Sequence, residues 1–196
     1  MTAREIADVA LALAAFRPGI FEQRDIALLR PPFASHGPQV SHRLLVDLFQ
    51  VELLFQTTEA QPLLMSTQQY CTAQRGWLAR RRAVDPRLLN SVCKALDSLG
   101  SDYEVEWRTD NGLVPVDVML FLDCGRQVAL RIDGAERFTS SQPRHMLGSA
   151  RLLAQILEKH CPEVVSVPFF EWDALKSEED RRQYIEQKIS HPLHGS

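Results

Sequence analysis

Two aspartates and an arginine occupy positions where strand-like alternation turns side chains to one side. Asp117 lies in Val116-Asp117-Val118, and Arg131 and Asp133 sit two apart in Ala129-Leu-Arg-Ile-Asp133. Strand side chains alternate with period two, so on neighbouring strands the three converge. Two carboxylates repel one another. A metal nuclease relieves that repulsion with a divalent cation and usually adds a Lys to orient or activate water. Here the nearby cation is a guanidinium, protonated at any ordinary pH. Arg131 can form a forked pair with Asp117, and an ion pair between Arg131 and an Asp is therefore expected in place of a metal. A second cluster gathers Arg75, Arg80, Arg81, Arg82 and Arg87 around Trp77. Arginine forks suit phosphate and an indole can stack on a base. The same pattern also describes a solvated helix end whose Trp packs inward. Phe169, Phe170 and Trp172 can stack bases or close a core, and Glu171 among them is expected to fix a loop through backbone hydrogen bonds. The six histidines show no i,i+4 pair with an adjacent Glu and no nucleophile signature. The four cysteines (Cys71, Cys93, Cys124, Cys161) form no C-x-x-C pair. That argues against a zinc cluster or disulfide framework and for a reducing compartment. No catalytic residue, metal or cofactor is expected.

These residues need elements to hold them. The chain has 196 residues, 45% hydrophobic and 24% charged, with a net charge of −3. That composition excludes disorder as the main state and excludes a polycationic nucleic-acid coat, so any nucleic-acid role must use a local patch. The apolar runs are short and broken by charge, as in Leu44–Leu48, so no membrane span is expected. Residues 1–100 hold 11 basic against 9 acidic side chains, and residues 101–196 hold 11 against 16. The charge shift coincides with a change of pattern. A helical region over 1–90, an αβ unit over 91–190 and a tail over 191–196 follow.

Thr2 and Glu5 form a capping-box pattern ahead of Ile6, Val9, Ala10, Leu13 and Ala14 at helical spacing. This amphipathic start invites comparison with a transit peptide, but Glu5, Asp8 and Glu22 are too acidic for one. Arg17-Pro-Gly19 breaks the helix and Pro31-Pro32 marks a loop. A well-buried helix is expected over Ser41–Phe55, while residues 61–80 are ambiguous. Asp85-Pro86 opens a helix with Leu88, Leu89, Val92, Leu96 and Leu99 inward, and Gly100 stops it. Strands are expected at Tyr103–Arg108, Val114–Leu122, Gln127–Asp133 and Val164–Phe169, with a turn at Asp110-Asn-Gly112. A helix from Pro143 to about His160 separates the last two strands. Glu171–Asp173 begins an exit loop, and a final helix over Glu178–Ile189 turns Tyr184, Ile185 and Ile189 inward. The fold class is α+β or α/β: helices first, then an αβ sandwich with a small mixed sheet.

From about Val92 to Ile189 the chain resembles the RAP domain, the RNA-binding domain abundant in apicomplexans that also closes the FAST-kinase-domain proteins of mitochondria. The resemblance rests on an ordered series. It runs through Val116-Asp117-Val118, then Ala129-Leu-Arg-Ile-Asp-Gly134 followed by Phe138. Val165-Ser-Val-Pro-Phe-Phe-Glu-Trp172, with Pro168, Phe170, Glu171 and Trp172 as its signature, comes next, and Arg182-Gln-Tyr-Ile185 closes it. The resemblance implies a fold similar to restriction endonucleases and the very-short-patch-repair endonucleases. It also implies organellar, usually mitochondrial, RNA as partner. In the family's Glu-x-Lys nuclease slot this chain reads Arg131-Ile-Asp133, so both signs are reversed. Arg137 stands where a His often follows Asp-Gly, and Arg151-Leu-Leu-Ala154 stands where the helix often carries a Lys/Arg pair. The candidate RNA contacts are Arg75, Trp77, Arg80, Arg81, Arg82, Arg87, Arg137, Arg144 and Arg151. Arg144, just before the helix, is the foremost phosphate contact of the second half. The function implied is that of a non-catalytic RNA-binding component of a mitochondrial ribonucleoprotein, such as a divergent, fragmented ribosome. Ribosomal RNA and neighbouring ribonucleoprotein proteins would be its partners, with no membrane and no small-molecule substrate. The alternatives are a metal-dependent RNA-processing nuclease and a protein-binding adaptor.

Overall fold

The computed structural model describes residues 3–16, 40–55, 64–80, 84–123, 125–141 and 144–190. Two compact units form, one of residues 1–81 with 148–156 and one of residues 82–147 with 157–196. Among the described residues the fold is α+β, an amino-terminal helical segment followed by a small mixed sheet with its own helices. No described helix is long and apolar enough to cross a membrane.

In the first unit, α1 (Ala3–Phe16) and α3 (Thr67–Ala79) both pack on α2 (His42–Phe55). The buried row of α1 is Ala7, Ala10, Ala14 and Ala15, at helical spacing, while Val9 is 40% exposed rather than inward. The Thr2 cap, the Arg17-Pro-Gly19 break and Pro31-Pro32 lie outside the described residues. The ambiguous 61–80 stretch resolves at α3. Ser66 accepts from Gln69 N–H while the Gln69 side chain accepts from Ser66 N–H, a reciprocal capping box. Phe49 of α2 meets Trp77 and Tyr70 of α3 with ring centres 6.2 and 5.2 Å away. Gly76 lets the two helices approach, because a methyl group there would meet the His42 ring at 2.5 Å and Val46 Cγ2 at 2.6 Å.

The second unit opens with α4 (Pro86–Ser98), whose N-cap Asp85 accepts from Arg87 N–H at 2.9 Å. Gly100, at φ +67°, ends it, a backbone region where glycine carries no Cβ penalty. The strands are β1 (Asp102–Val105), β2 (Val118–Phe121), β3 (Gln127–Asp133) and β4 (Val164–Pro168), in the order β1-β2-β3-β4. The first two pairings are antiparallel and β3/β4 is parallel. A parallel pair needs a long crossover, supplied by α5 (Gly148–His160).

The first two strands are shorter than the alternation suggests. Glu106, opposite Asp117, adopts φ +56°, so the regular ladder stops at Val105↔Val118. Pairing returns at Arg108↔Pro115 in unchanged register. A second correction follows β4. The expected exit loop is a short helix, α6 (Phe169–Ala174), which begins directly after Pro168, and α7 (Glu178–Ser190) follows it. The core joins Leu88, Val92 and Leu96 of α4 to Val118, Leu120, Leu130, Ile132, Val165 and Val167 of the sheet, with Trp172 and Ile185 closing it. Full burial of each such aliphatic side chain stabilises by about 1.5–3 kcal/mol.

Candidate functional site

The opposite face of the sheet carries charge into the interior. Along β3, Arg131 and Asp133 point the same way by strand alternation, and Ser166 of β4 lies beside Arg131 in the parallel register. Asp117 precedes β2. After Gly134 the chain enters a single 3-10 turn, Ala135–Arg137, which carries Arg137 back to Asp133 four residues earlier. Gly134 has φ −69°, so its role is not a left-handed turn. Asp133 is 0% exposed and its two oxygens are fully engaged. Oδ1 accepts from Arg137 Nη1 at 2.9 Å. Oδ2 accepts from Arg131 Nε at 2.8 Å and from the Ser166 hydroxyl at 2.6 Å. Asp117 Oδ2 accepts from Ile132 N–H at 2.8 Å and lies 3.7 Å from Arg137 Nη2.

The expected convergence and the expected ion pair between Arg131 and an Asp are present, with Asp133 rather than Asp117 as the partner. Arg131 bonds Asp133, and it is Arg137, not Arg131, that reaches Asp117. The reason is local. Arg131 and Asp133 share one strand face, whereas only a residue returning from the 3-10 turn spans both carboxylates. Arg137, a candidate RNA contact, is thereby buried and committed to the interior. The buried groups, two carboxylates and two guanidinium groups, are formally neutral, and the exposed Glu136 adds a carboxylate 3.6 Å from Arg137 Nε at the rim. A divalent cation here would have to displace two tethered cations. Among the described residues no group of three or more His, Cys, Asp or Glu side chains is arranged to hold a metal.

Around this cluster lies an aromatic layer. Phe138, Phe169 and Phe170 meet at tilted and edge-to-face angles with centres 5.2 to 6.0 Å apart. The half-buried Arg144 lays its guanidinium 4.7 Å from the Phe169 ring and 5.4 Å from Phe170. Trp172 is 2% exposed and belongs to the core. Its Nε1–H donates to Ser91 Oγ at 3.1 Å. Glu171 does not cap a loop. It accepts the Tyr184 hydroxyl at 2.7 Å and pairs with Lys188 at 3.1 Å, tying α6 to α7. Burial and this carboxylate push the Tyr184 phenol above its ordinary pKa.

With the ordered motif residues now placed on one sheet and its flanking helices, the comparison with known domains is direct. Residues 130–188 match the RAP domain. The RAP match spans the end of β3, the 3-10 turn, α5, β4, α6 and most of α7, and so includes Arg131, Asp133, Arg137 and the Phe-Phe-Glu-Trp helix but not Asp117. The chain is also similar to the human protein "FAST kinase domain-containing protein 3, mitochondrial", 28% identical over 112 residues, 57% of this chain. That stretch is 16% of the relative's length. The RAP domain is an RNA-binding domain, and the match supports an RNA-binding role.

The amino-terminal basic cluster is divided. Arg75 is exposed on α3 and its Nε donates to the Cys71 carbonyl at 3.2 Å. Arg80, at the end of α3, stands 3.5 Å from Asp47. Trp77 is 7% exposed and packed on Phe49, so it is not free to stack on a base. Arg81 and Arg82 lie outside the described residues. Arg87 is exposed at the start of α4, and Arg151 is exposed on α5. Sequence reasoning missed Ser166, Ser91 and Arg181. A polar residue inside the apolar strand Val164-Val-Ser-Val was the available signal for Ser166. Ser91 and Arg181 carry no such mark, being ordinary polar positions on helices.

Proposed function

We propose that the protein is a non-catalytic RNA-binding component of a mitochondrial ribonucleoprotein, such as a divergent, fragmented mitochondrial ribosome. The observation that carries the reading is the RAP match over a sheet face whose carboxylates are bonded to Arg131 and Arg137. A nuclease would need those carboxylates for metal and a Lys for water. In this chain the carboxylate bonds instead brace the turn after Asp-Gly, which sets Phe138 against the Phe169–Phe170 helix. On this reading the restriction-endonuclease-like scaffold that the RAP resemblance implies is kept without its chemistry. The mitochondrial setting is supported by the similarity to the human mitochondrial protein.

RNA affinity would come from exposed arginines outside that cluster, Arg75, Arg80 and Arg87 among the described ones, with Arg144 held over the aromatic layer. Phosphate contacts make binding fall steeply with salt, which separates this reading from a protein-binding adaptor. The test has two arms. The protein from its native source should co-sediment with large ribosomal RNA. Purified protein incubated with labelled RNA and magnesium or manganese should leave the RNA intact. Cleavage that disappears on Asp117→Asn would establish the nuclease instead, and sedimentation apart from RNA would remove the ribonucleoprotein assignment.

A further inference from the structure

The second unit contains a cleft of about 380 Å³ that lies outside the buried ion-pair cluster. The start of α4 contributes Arg87 and Ser91, α6 contributes Phe169, Trp172 and Asp173, and α7 contributes Arg181. Arg181 stands with its guanidinium carbon 5.7 Å from the Trp172 ring centre and its Nη1 3.3 Å from Ser91 Oγ. Its Nε is buried and has no hydrogen-bond partner. Neither Arg181 nor Arg87 makes an ion pair among the described residues. Arg131 and Arg137, by contrast, are both fixed to carboxylates. A buried charged N–H is normally bonded, so Arg181, lining the cleft with Nη1 on Ser91 and no carboxylate partner, has donor capacity left for an acceptor that enters.

The cleft is not simply cationic. Asp85 is engaged as the cap of α4, and Asp173 is exposed with no bond of its own among the described residues. A bare anion meets the repulsion of these two carboxylates along with the attraction of the two arginines. A ligand that brings both an anion and hydroxyl or amine donors satisfies both signs. Nucleotides have that chemistry, and Phe169, half-exposed, adds an aromatic surface for a sugar or base. The volume is in the range of small-ligand sites.

We infer that this cleft takes one unpaired nucleotide of an RNA strand, with its phosphate on Arg181 and Arg87 and its sugar hydroxyl on Asp173. The inference rests on the RNA-binding reading above and assigns it a specific contact. The nucleotide must be unpaired because the base of a duplex is stacked and out of reach.

The full chain is titrated with a fluorescent single-stranded RNA at low and at physiological salt. Arg181→Met, Arg87→Ala and Asp173→Asn are compared with the unmodified protein, with circular dichroism confirming the fold of each. Arg87 is exposed on the first turn of α4, so its variant tests the site even if removing Arg181 unsettles Trp172. The two arginine variants should each weaken binding about tenfold. Asp173→Asn should narrow the preference for RNA over DNA of the same sequence. Adenosine monophosphate should compete where inorganic phosphate at equal concentration does not. Strong RNA binding that both arginine variants retain within about twofold overturns the cleft and leaves RNA binding standing. Equal competition by phosphate overturns the nucleotide assignment. Absence of RNA binding by the unmodified protein removes both readings.

Discussion

Replacing Arg137 by Met tests the buried cluster most directly. Asp117, Arg131, Asp133 and Arg137 are 4, 5, 0 and 9% exposed. Their formal charges cancel, and methionine would keep much of the apolar stem while leaving one negative charge uncompensated. Removing one partner of a buried ion pair typically costs about 3–5 kcal/mol. Asp133 retains Arg131 and Ser166, and Asp117 retains Ile132 N–H, so a loss near the lower end, about 3 kcal/mol, is expected. That is a large share of the roughly 5–15 kcal/mol that folded domains have in hand. Adding Asp117→Asn restores neutrality while preserving an oxygen for Ile132 N–H. The double variant should therefore recover at least about 1 kcal/mol of the loss, a coupling expected only for groups in one network. Urea unfolding at neutral pH, followed by far-ultraviolet circular dichroism, measures all three proteins. A single-variant loss below about 1 kcal/mol, or a double variant no more stable than the single, would refute the account of a closed four-charge cluster.

Gly76→Ala should destabilise by about 1–2 kcal/mol in urea, because the contact with Val46 outweighs alanine's better helix propensity; a gain in stability would show that α2 and α3 adjust freely. Tyr184→Phe should cost about 1 kcal/mol at neutral pH by removing the bond to Glu171. The raised phenol pKa means that this stabilisation is complete below about pH 10 and is lost as pH rises through the folded value. The variant should accordingly lose less stability than the unmodified protein on alkaline titration, and parallel pH–melting curves would exclude the effect. Changing Arg80, Arg81 and Arg82 together to Ala should reduce the salt slope of single-stranded RNA binding by up to about 2 units; an unchanged slope with an intact fold makes the patch a solvated face. Trp77→Leu should leave RNA affinity unaltered in folded protein, since the indole is packed on Phe49.

Much of the architecture was legible because it depends on local pattern. The spacing of Leu88, Val92 and Leu96 and the Asp85-Pro86 start determine α4 without reference to the rest of the chain. The alternation through Gln127–Asp133 determines β3 and places Arg131 and Asp133 on one face. The switch from helical period to alternation at Asp102 is where the sheet begins. Boundaries were less legible where a single residue interrupts a pattern. Val114–Leu122 alternates throughout, yet the left-handed Glu106 on the facing strand confines regular pairing to its second half. Phe169–Ala174 contains strand formers and still coils, because Pro168 ends the β4 ladder and Trp172 gains a core position from a helix.

The amino-acid sequence by itself placed Arg131 and Asp133 on one face of a strand, since residue type and two-residue period suffice for that. Which arginine meets which aspartate was decided only by the tertiary structure. A return of the chain after Gly134 brings Arg137 across to Asp133 and Asp117, and the two-residue offset on β3 keeps Arg131 with Asp133. The same holds for Trp77, whose basic neighbours suggest a surface but whose contacts with Phe49 put it in the core. The physical reason is range. Periodicity is a property of neighbouring residues, whereas charge pairing and burial depend on where distant segments arrive, and a difference of one turn reassigns every partner.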